Sequence, residues 1–168
     1  MSESIPLVEV LSQEEIDLIE AEVSHIPDRE SAAIEALRIV QEKRGYVSDE
    51  SLRAIAKQLE MSVEGLDSIA TFYNLIFRRP VGEQVILVCN SVSCWIKGCE
   101  GLRETISQQL GIAPGETTGD GRFTLLPVTC LGACDRAPVM MVGEHKFEDV
   151  TPEQIAAILD EGEGATPA

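Results

Sequence analysis

Apolar residues return at helical spacing through the first half of the chain and at strand spacing through much of the second. Ile16, Ile19, Val23 and Ile26 fall on one helical face. Ser12, with Glu15 three positions on, forms the capping-box pattern that opens it. Pro27 and Asp28 interrupt the run. A second helix is predicted from about 30 to 44, with Ile34, Leu37 and Val40 inward and Gly45 as its stop. Ser48 caps a third, where Val47 and Leu52 form a hydrophobic staple and Leu52, Ile55, Ala56 and Leu59 make the apolar stripe. Ser62 opens a fourth, which carries Leu66, Ile69 and Phe72 towards Phe77. Thr71, Phe72 and Tyr73 are expected to pack where the helices meet the next domain; the alternative is an interface with a partner protein.

The pattern changes after Arg79-Pro80-Val81-Gly82. Gln84 to Val88 is a short apolar run of strand type, followed by a loop and then a helix from Cys99 to Leu110 that Gly111 stops. Residues 113–121, rich in Gly, Thr and Pro, read as loop, and Phe123 to Val128 as a second strand. Val139 to Val142, Gly143-Glu144 and His145 to Phe147 read as a hairpin, with Met140 and Met141 in the strand core. Thr151 caps a last helix with Pro152 in its first position and Gln154 completing the box; Ile155, Ile158 and Leu159 face inward. The order β-α-β-β-β-α fits a thioredoxin-like sandwich, although other small α/β folds share it. The predicted class is therefore α+β: a helical domain over residues 1–79, then an α/β domain over 80–168. The acidic tail from 161 has too little apolar content to order itself.

Charge narrows the partners. The net charge of −16 repels phosphate and makes nucleic acid a poor one. No run approaches the roughly 20 apolar residues of a membrane span. The first 15 residues are acidic and lack a basic start before an apolar stretch, unlike a secretory signal, so the expected compartment is the cytoplasm. An odd set of five cysteines there argues for metal ligands or reactive thiols over a disulfide framework.

Those cysteines are 89, 94, 99, 130 and 134. Cys89 directly follows one predicted strand and Cys130 lies just past another, so loops leaving neighbouring strand ends bring Cys89, Cys94, Cys130 and Cys134 together. Cys99 instead shares an i, i+3, i+7, i+11 stripe with Leu102, Ile106 and Leu110 and reads as a small buried hydrophobe. Four thiolates suit tetrahedral zinc or a two-iron cluster. The wider first loop favours the cluster, whose ligand pairs come from separate loops. Gly132 lets backbone approach closely, and Ser91, Ser93, Thr129 and Ala133 can offer N–H and O–H groups to sulfur. Such a core carries about two negative charges when oxidised and gains a third on reduction. In an acidic protein this predicts a low potential. Trp95 is expected to shield the centre from water, and Arg122 and Arg136 either to face its charge or to be solvated. His25 and His145 have no partner at metal spacing.

Five segments carry a resemblance to a known family: EALRIVQEKRGYV from 35, ATFY from 70, VCNSVSC from 88, DGRFTLLP from 120 and CLGACDRAP from 130. Over residues 12–159 the chain resembles the thioredoxin-like [2Fe–2S] ferredoxins, in the form of the E subunits of bacterial NADH:quinone oxidoreductase (complex I). The resemblance implies one [2Fe–2S] cluster on Cys89, Cys94, Cys130 and Cys134, with Cys99 an extra thiol. It implies an electron-carrying component without catalytic residues of its own. FMN and NADH would be held by a partner flavoprotein, the F subunit of complex I, with the large iron–sulfur protein, the G subunit, also nearby. The complex would be membrane-bound, with this component peripheral to the inner membrane on the cytoplasmic side and not inserted in it. The equivalent components of NAD-dependent formate dehydrogenases and NAD-linked hydrogenases are alternatives. A free-standing ferredoxin, a zinc-stabilised interaction domain and a thiol oxidoreductase rank lower; the last would want a C-x-x-C motif, which is missing.

Overall fold

The computed structural model describes residues 11–162. The N-terminal stretch up to Val10 and the tail beyond Gly162, where two of the expectations above fall, lie outside them. The chain divides into two compact units at Pro80/Val81. No described helix is long and apolar enough to cross a membrane.

The first unit is helical: α1 Gln13–Val23, α2 Ala33–Arg44, α3 Asp49–Gln58 and α4 Val63–Phe72. Ser12 and Glu15 make the predicted capping box, and Ser48 and Ser62 each accept from a backbone N–H three residues on, which satisfies donors that a helix start leaves open. The second helix starts as a turn of 3-10 helix, Arg29–Ala32, before α2 proper. Its buried face is Ala33, Ala36, Leu37 and Val40, and Ile34 is only half-buried. The core closes with Ile19, Ile55, Leu59 and Leu66. α4 stops at Phe72, whose side chain is 78% exposed; Tyr73 and Leu75 beyond it are also exposed. The expected packing of Phe72 is therefore not found: the inward row of α4 runs Leu66, Ala70 and then leaves the helix for Ile76.

The second unit contains β1 Gln84–Cys89, α5 Val92–Ile96, α6 Cys99–Leu110, β2 Phe123–Val128, β3 Met140–Val142, β4 His145–Phe147 and α7 Ile155–Gly162. The sheet order is β2-β1-β3-β4, with β1 parallel to β2 and antiparallel to β3. β1 is central and buried from Val85 to Cys89, as befits a strand covered on both faces. α6 packs on β1, and α7 packs on α6 and β3. Cys99, Leu102 and Ile106 enter this core as expected, as does Met140, while Met141 is half-buried. The Thr151–Gln154 capping box is present, but it opens a 3-10 turn, Pro152–Gln154, that leads into α7.

One buried charge anchors the helical unit. Glu15, 2% exposed, accepts from Arg44 Nε at 2.7 Å and Nη2 at 2.6 Å, and from the Ser12 N–H at 2.6 Å. Burial pushes its carboxyl up, but the bonds from Arg44 and Ser12 outweigh this and hold it below the usual range. Glu15→Gln should lower stability by about 2–3 kcal/mol, less than a fully buried pair because Arg44 is partly exposed. A depressed carboxyl stabilises fully above its unfolded pKa of about 4.3, and the contribution fades as pH falls through the folded value. Urea unfolding of both chains should thus show a gap that is full at neutral pH and narrows in acid.

Candidate metal centre

The parallel ladder between β1 and β2 sets the site. Cys89 is the last residue of β1 and stands opposite Val128, the last of β2. The Asn90 N–H donates to the Val128 carbonyl at 2.9 Å, and the Cys89 N–H to that of Val139 at 3.1 Å. The segments after β1, after β2 and before β3 therefore leave one edge of the sheet together. Cys130 follows β2 by two residues, so Cys89 and Cys130 leave the ends of paired strands.

Cys94 does not sit in a loop. It lies in α5, a helix of five residues with Ser91 as its N-cap. Ser91-Val92-Ser93 has the look of a helix start, but so short a segment gives no periodicity to detect. Cys94 takes the inward side of α5 and is 1% exposed, which turns Val92, Trp95 and Ile96 outward. Trp95 is 59% exposed and so does not shield the sulfurs within this chain. Cys134 begins a 3-10 turn, Cys134–Arg136, that packs against α5. Arg136 in that turn donates Nε to Asp149 at 2.8 Å, with Glu148 at 3.6 Å, so its charge is already partnered by carboxylates. The Arg122 guanidinium lies 5.2 Å over the Phe123 ring.

All five thiols are free. Four of them form an inner and an outer pair. Cys89 and Cys94 are buried; Cys130 and Cys134 are exposed, with sulfurs 3.8 Å apart. A tetrahedral ion with thiolate bonds of about 2.3 Å holds two of its sulfurs about 3.8 Å apart, so the outer pair already has the spacing of two ligands on one ion. Among the described residues, no group of three or more His, Cys, Asp or Glu is gathered so as to hold a single ion. Gly132 lies between Cys130 and Cys134 at φ +81°, the left-handed region glycine adopts freely, and this turn directs its N–H to the Cys130 sulfur at 3.4 Å. Space around Gly132 does not demand glycine; the backbone angle does.

Burial and then Cys89 push the Cys94 thiol up to about 11, with the Val139 N–H pulling the other way. The hydrogen bond and charge of Cys130 raise Cys134, with the Ser93 hydroxyl opposing. Burial raises Cys99, with Arg103 opposing. These thiols stay protonated at neutral pH, and a metal that binds them must displace their protons. Cys99 heads α6 inside the core, with Leu102 and Ile106, and belongs to neither pair.

The sequence matches the family model of the thioredoxin-like [2Fe–2S] ferredoxins over residues 19–163. The E subunit of the NADH-quinone oxidoreductase of Pseudomonas aeruginosa is 48% identical over 151 residues, spanning 90% of this chain and 91% of that protein. Its counterpart of the same name in Escherichia coli K12 is 47% identical over 150 residues, spanning 89% and 90%. A crystal structure of an NAD+-reducing [NiFe]-hydrogenase in the H2-reduced state shares the fold, with a TM-score of 0.65 at 20% identity over 81% of this chain and 23% of that one. The chain belongs to the thioredoxin-like [2Fe–2S] ferredoxin family and, within it, stands with the E subunits of NADH-quinone oxidoreductases.

Proposed function

We propose that the chain holds one [2Fe–2S] cluster on Cys89, Cys94, Cys130 and Cys134 and works as the electron-transfer component of the NADH-oxidising module of an NADH:quinone oxidoreductase. The observation that carries this reading is that Cys89 ends β1 opposite the last residue of β2, two residues before Cys130, with the Cys130 and Cys134 sulfurs 3.8 Å apart. Pairs suit a two-iron centre, one pair to each iron, whereas a structural zinc takes all four ligands on one ion. When bound, such a cluster takes up and returns a single electron. The residues around it decide how readily. Burial of Cys89 and Cys94 keeps water from half of the centre, and the Thr129 carbonyl oxygen lies 3.6 Å from the Cys89 sulfur, where it disfavours added negative charge. The net charge of −16 acts in the same direction.

The chain brings no nucleotide-binding glycine loop, so NADH oxidation falls to a partner: the flavoprotein, or F subunit, with FMN and the NADH site, and next to it the large iron–sulfur protein, or G subunit. Exposed apolar side chains support docking. They are Phe72, Tyr73 and Leu75 on the helical unit, and Val92, Trp95 and Ile96 on α5, beside Cys94. We place the assembled chain on the cytoplasmic side, peripheral to the membrane. The equivalent component of an NAD-linked hydrogenase or formate dehydrogenase is the second reading; the hydrogenase likeness in fold favours it, and the relatives at 47–48% identity weigh against it.

Cys130→Ser should lose the visible absorption and the EPR signal of the dithionite-reduced chain, while Cys99→Ser keeps both; bleaching by Cys99→Ser would overturn the ligand set. A dye-mediated redox titration should give a midpoint at or below that of the NADH couple, and a value well above it would contradict the charge argument. Phe72→Ser should weaken capture of the flavoprotein about tenfold or more while the cluster signal stays intact.

A further inference from the structure

The inner sulfurs are seated in the core, whereas Cys134 stands on an exposed turn. Ala133 and Ala137 enter the core on either side of that turn; Cys134, Asp135 and Arg136 between them are exposed. The turn packs against α5, the helix that carries Cys94. Asp149, between β4 and the last capping box, holds it at two points. The Asp149 N–H donates to the Arg136 carbonyl at 2.8 Å, and the Asp149 carboxylate accepts from Arg136 Nε at 2.8 Å. The next residue extends the contact, with the Val150 N–H donating to the Pro138 carbonyl at 3.1 Å. Asp149 sits at φ +51°, in the left-handed region that glycine takes freely and other residues rarely. Glycine would supply this backbone without strain, but it has no carboxylate to reach Arg136. Glu148 widens the pair into a network, 3.6 Å from Arg136 Nε and 2.9 Å from Lys146 Nζ. A lone exposed ion pair holds little, and one within a network holds more.

We propose that Asp149 is a positioning residue for the centre: by gripping Arg136 at two points it fixes the turn that begins with Cys134 and so keeps the outer sulfur pair on its iron. The inference rests on the cluster reading above. The outer pair is the half of the centre that solvent reaches, so iron leaves from there first when a chelator competes for it. A turn tied down at Arg136 leaves Cys134 few other places to go, and a thiolate that stays in place rebinds before the iron is lost. Without the carboxylate the backbone bond remains, but the Arg136 side chain is released and the turn opens more often. The same loss follows from removing the guanidinium, because the two side chains act through one contact.

The test is the anaerobic rate at which the full chain, purified with its cluster, loses visible absorption to an excess of an iron chelator of the phenanthroline class. It is measured on the unsubstituted chain, Asp149→Gly, Asp149→Asn, Arg136→Ala and the double variant Arg136→Ala/Asp149→Gly, after iron and acid-labile sulfide have been counted on each. Asp149→Gly keeps the backbone conformation and removes only the carboxylate; it should release iron about fivefold faster, the upper end for an exposed pair. Arg136→Ala should match it, and the double variant should be no faster than either, since one contact is lost only once. Asp149→Asn, which keeps an acceptor and tolerates the left-handed backbone, should recover part of the difference. A glycine variant that holds iron as long as the unsubstituted chain overturns the inference. So does a double variant whose two effects multiply, or an asparagine variant as fast as the glycine one. Should Asp149→Gly fail to fold, Arg136→Ala, which leaves the Asp149 backbone untouched, decides by the same rate. If the unsubstituted chain itself holds no iron or sulfide, the cluster reading fails and this inference falls with it, a result distinct from an unchanged rate in a cluster-bearing chain.

Discussion

The parallel pairing of β1 with β2 is the constraint on which the rest depends. It brings Cys89 opposite Val128 and so starts both cysteine loops from one sheet edge. Slipping the register by one residue would turn the whole buried set of β1 over, from Val85 to Cys89, and move the Cys89 sulfur to the other face. The core that resists this slip is the one that fixes the centre: Ile86 and Val88 on β1, Leu125 on β2, Met140 on β3 and the Cys99–Leu102–Ile106 face of α6. Fold stability and site geometry share the same contacts.

Burial then divides the centre. Cys89 and Cys94 are part of the hydrophobic core, where burial pushes the Cys94 thiol up. Cys130 and Cys134 sit at the surface on a turn shaped by Gly132. A metal centre assembled here has one half fixed by packing and one half within reach of solvent or a partner. The apolar row of Val92, Trp95 and Ile96 lies on the outside of the same short helix whose inside carries Cys94, so a surface that binds this row would also come close to the sulfurs.

What the sequence made legible was local or periodic. Capping boxes at Ser12–Glu15 and Thr151–Gln154, the stop at Gly45 and the core face of α6 follow from groups a few residues apart, and each appears in the structure. Cys99 was separable from the other thiols because a helix of three turns leaves a readable stripe. The misses have a common cause, that a short or terminal turn has too few residues for periodicity to constrain it. α5 was read as loop; Trp95 was expected to shield the centre from water, yet it is largely exposed; Phe72 was placed with Leu66 and Ile69 although α4 ends there and its side chain stands in solvent. The ion pairs of Arg136 with Glu148 and Asp149 join segments apart along the chain, and no spacing rule exposes them.

Metal and acid-labile sulfide analysis of the anaerobically purified chain bears most directly on the central claim. The account predicts iron and sulfide in equal amounts and, after dithionite, a rhombic S = ½ EPR signal. Zinc with no sulfide and no signal would contradict it.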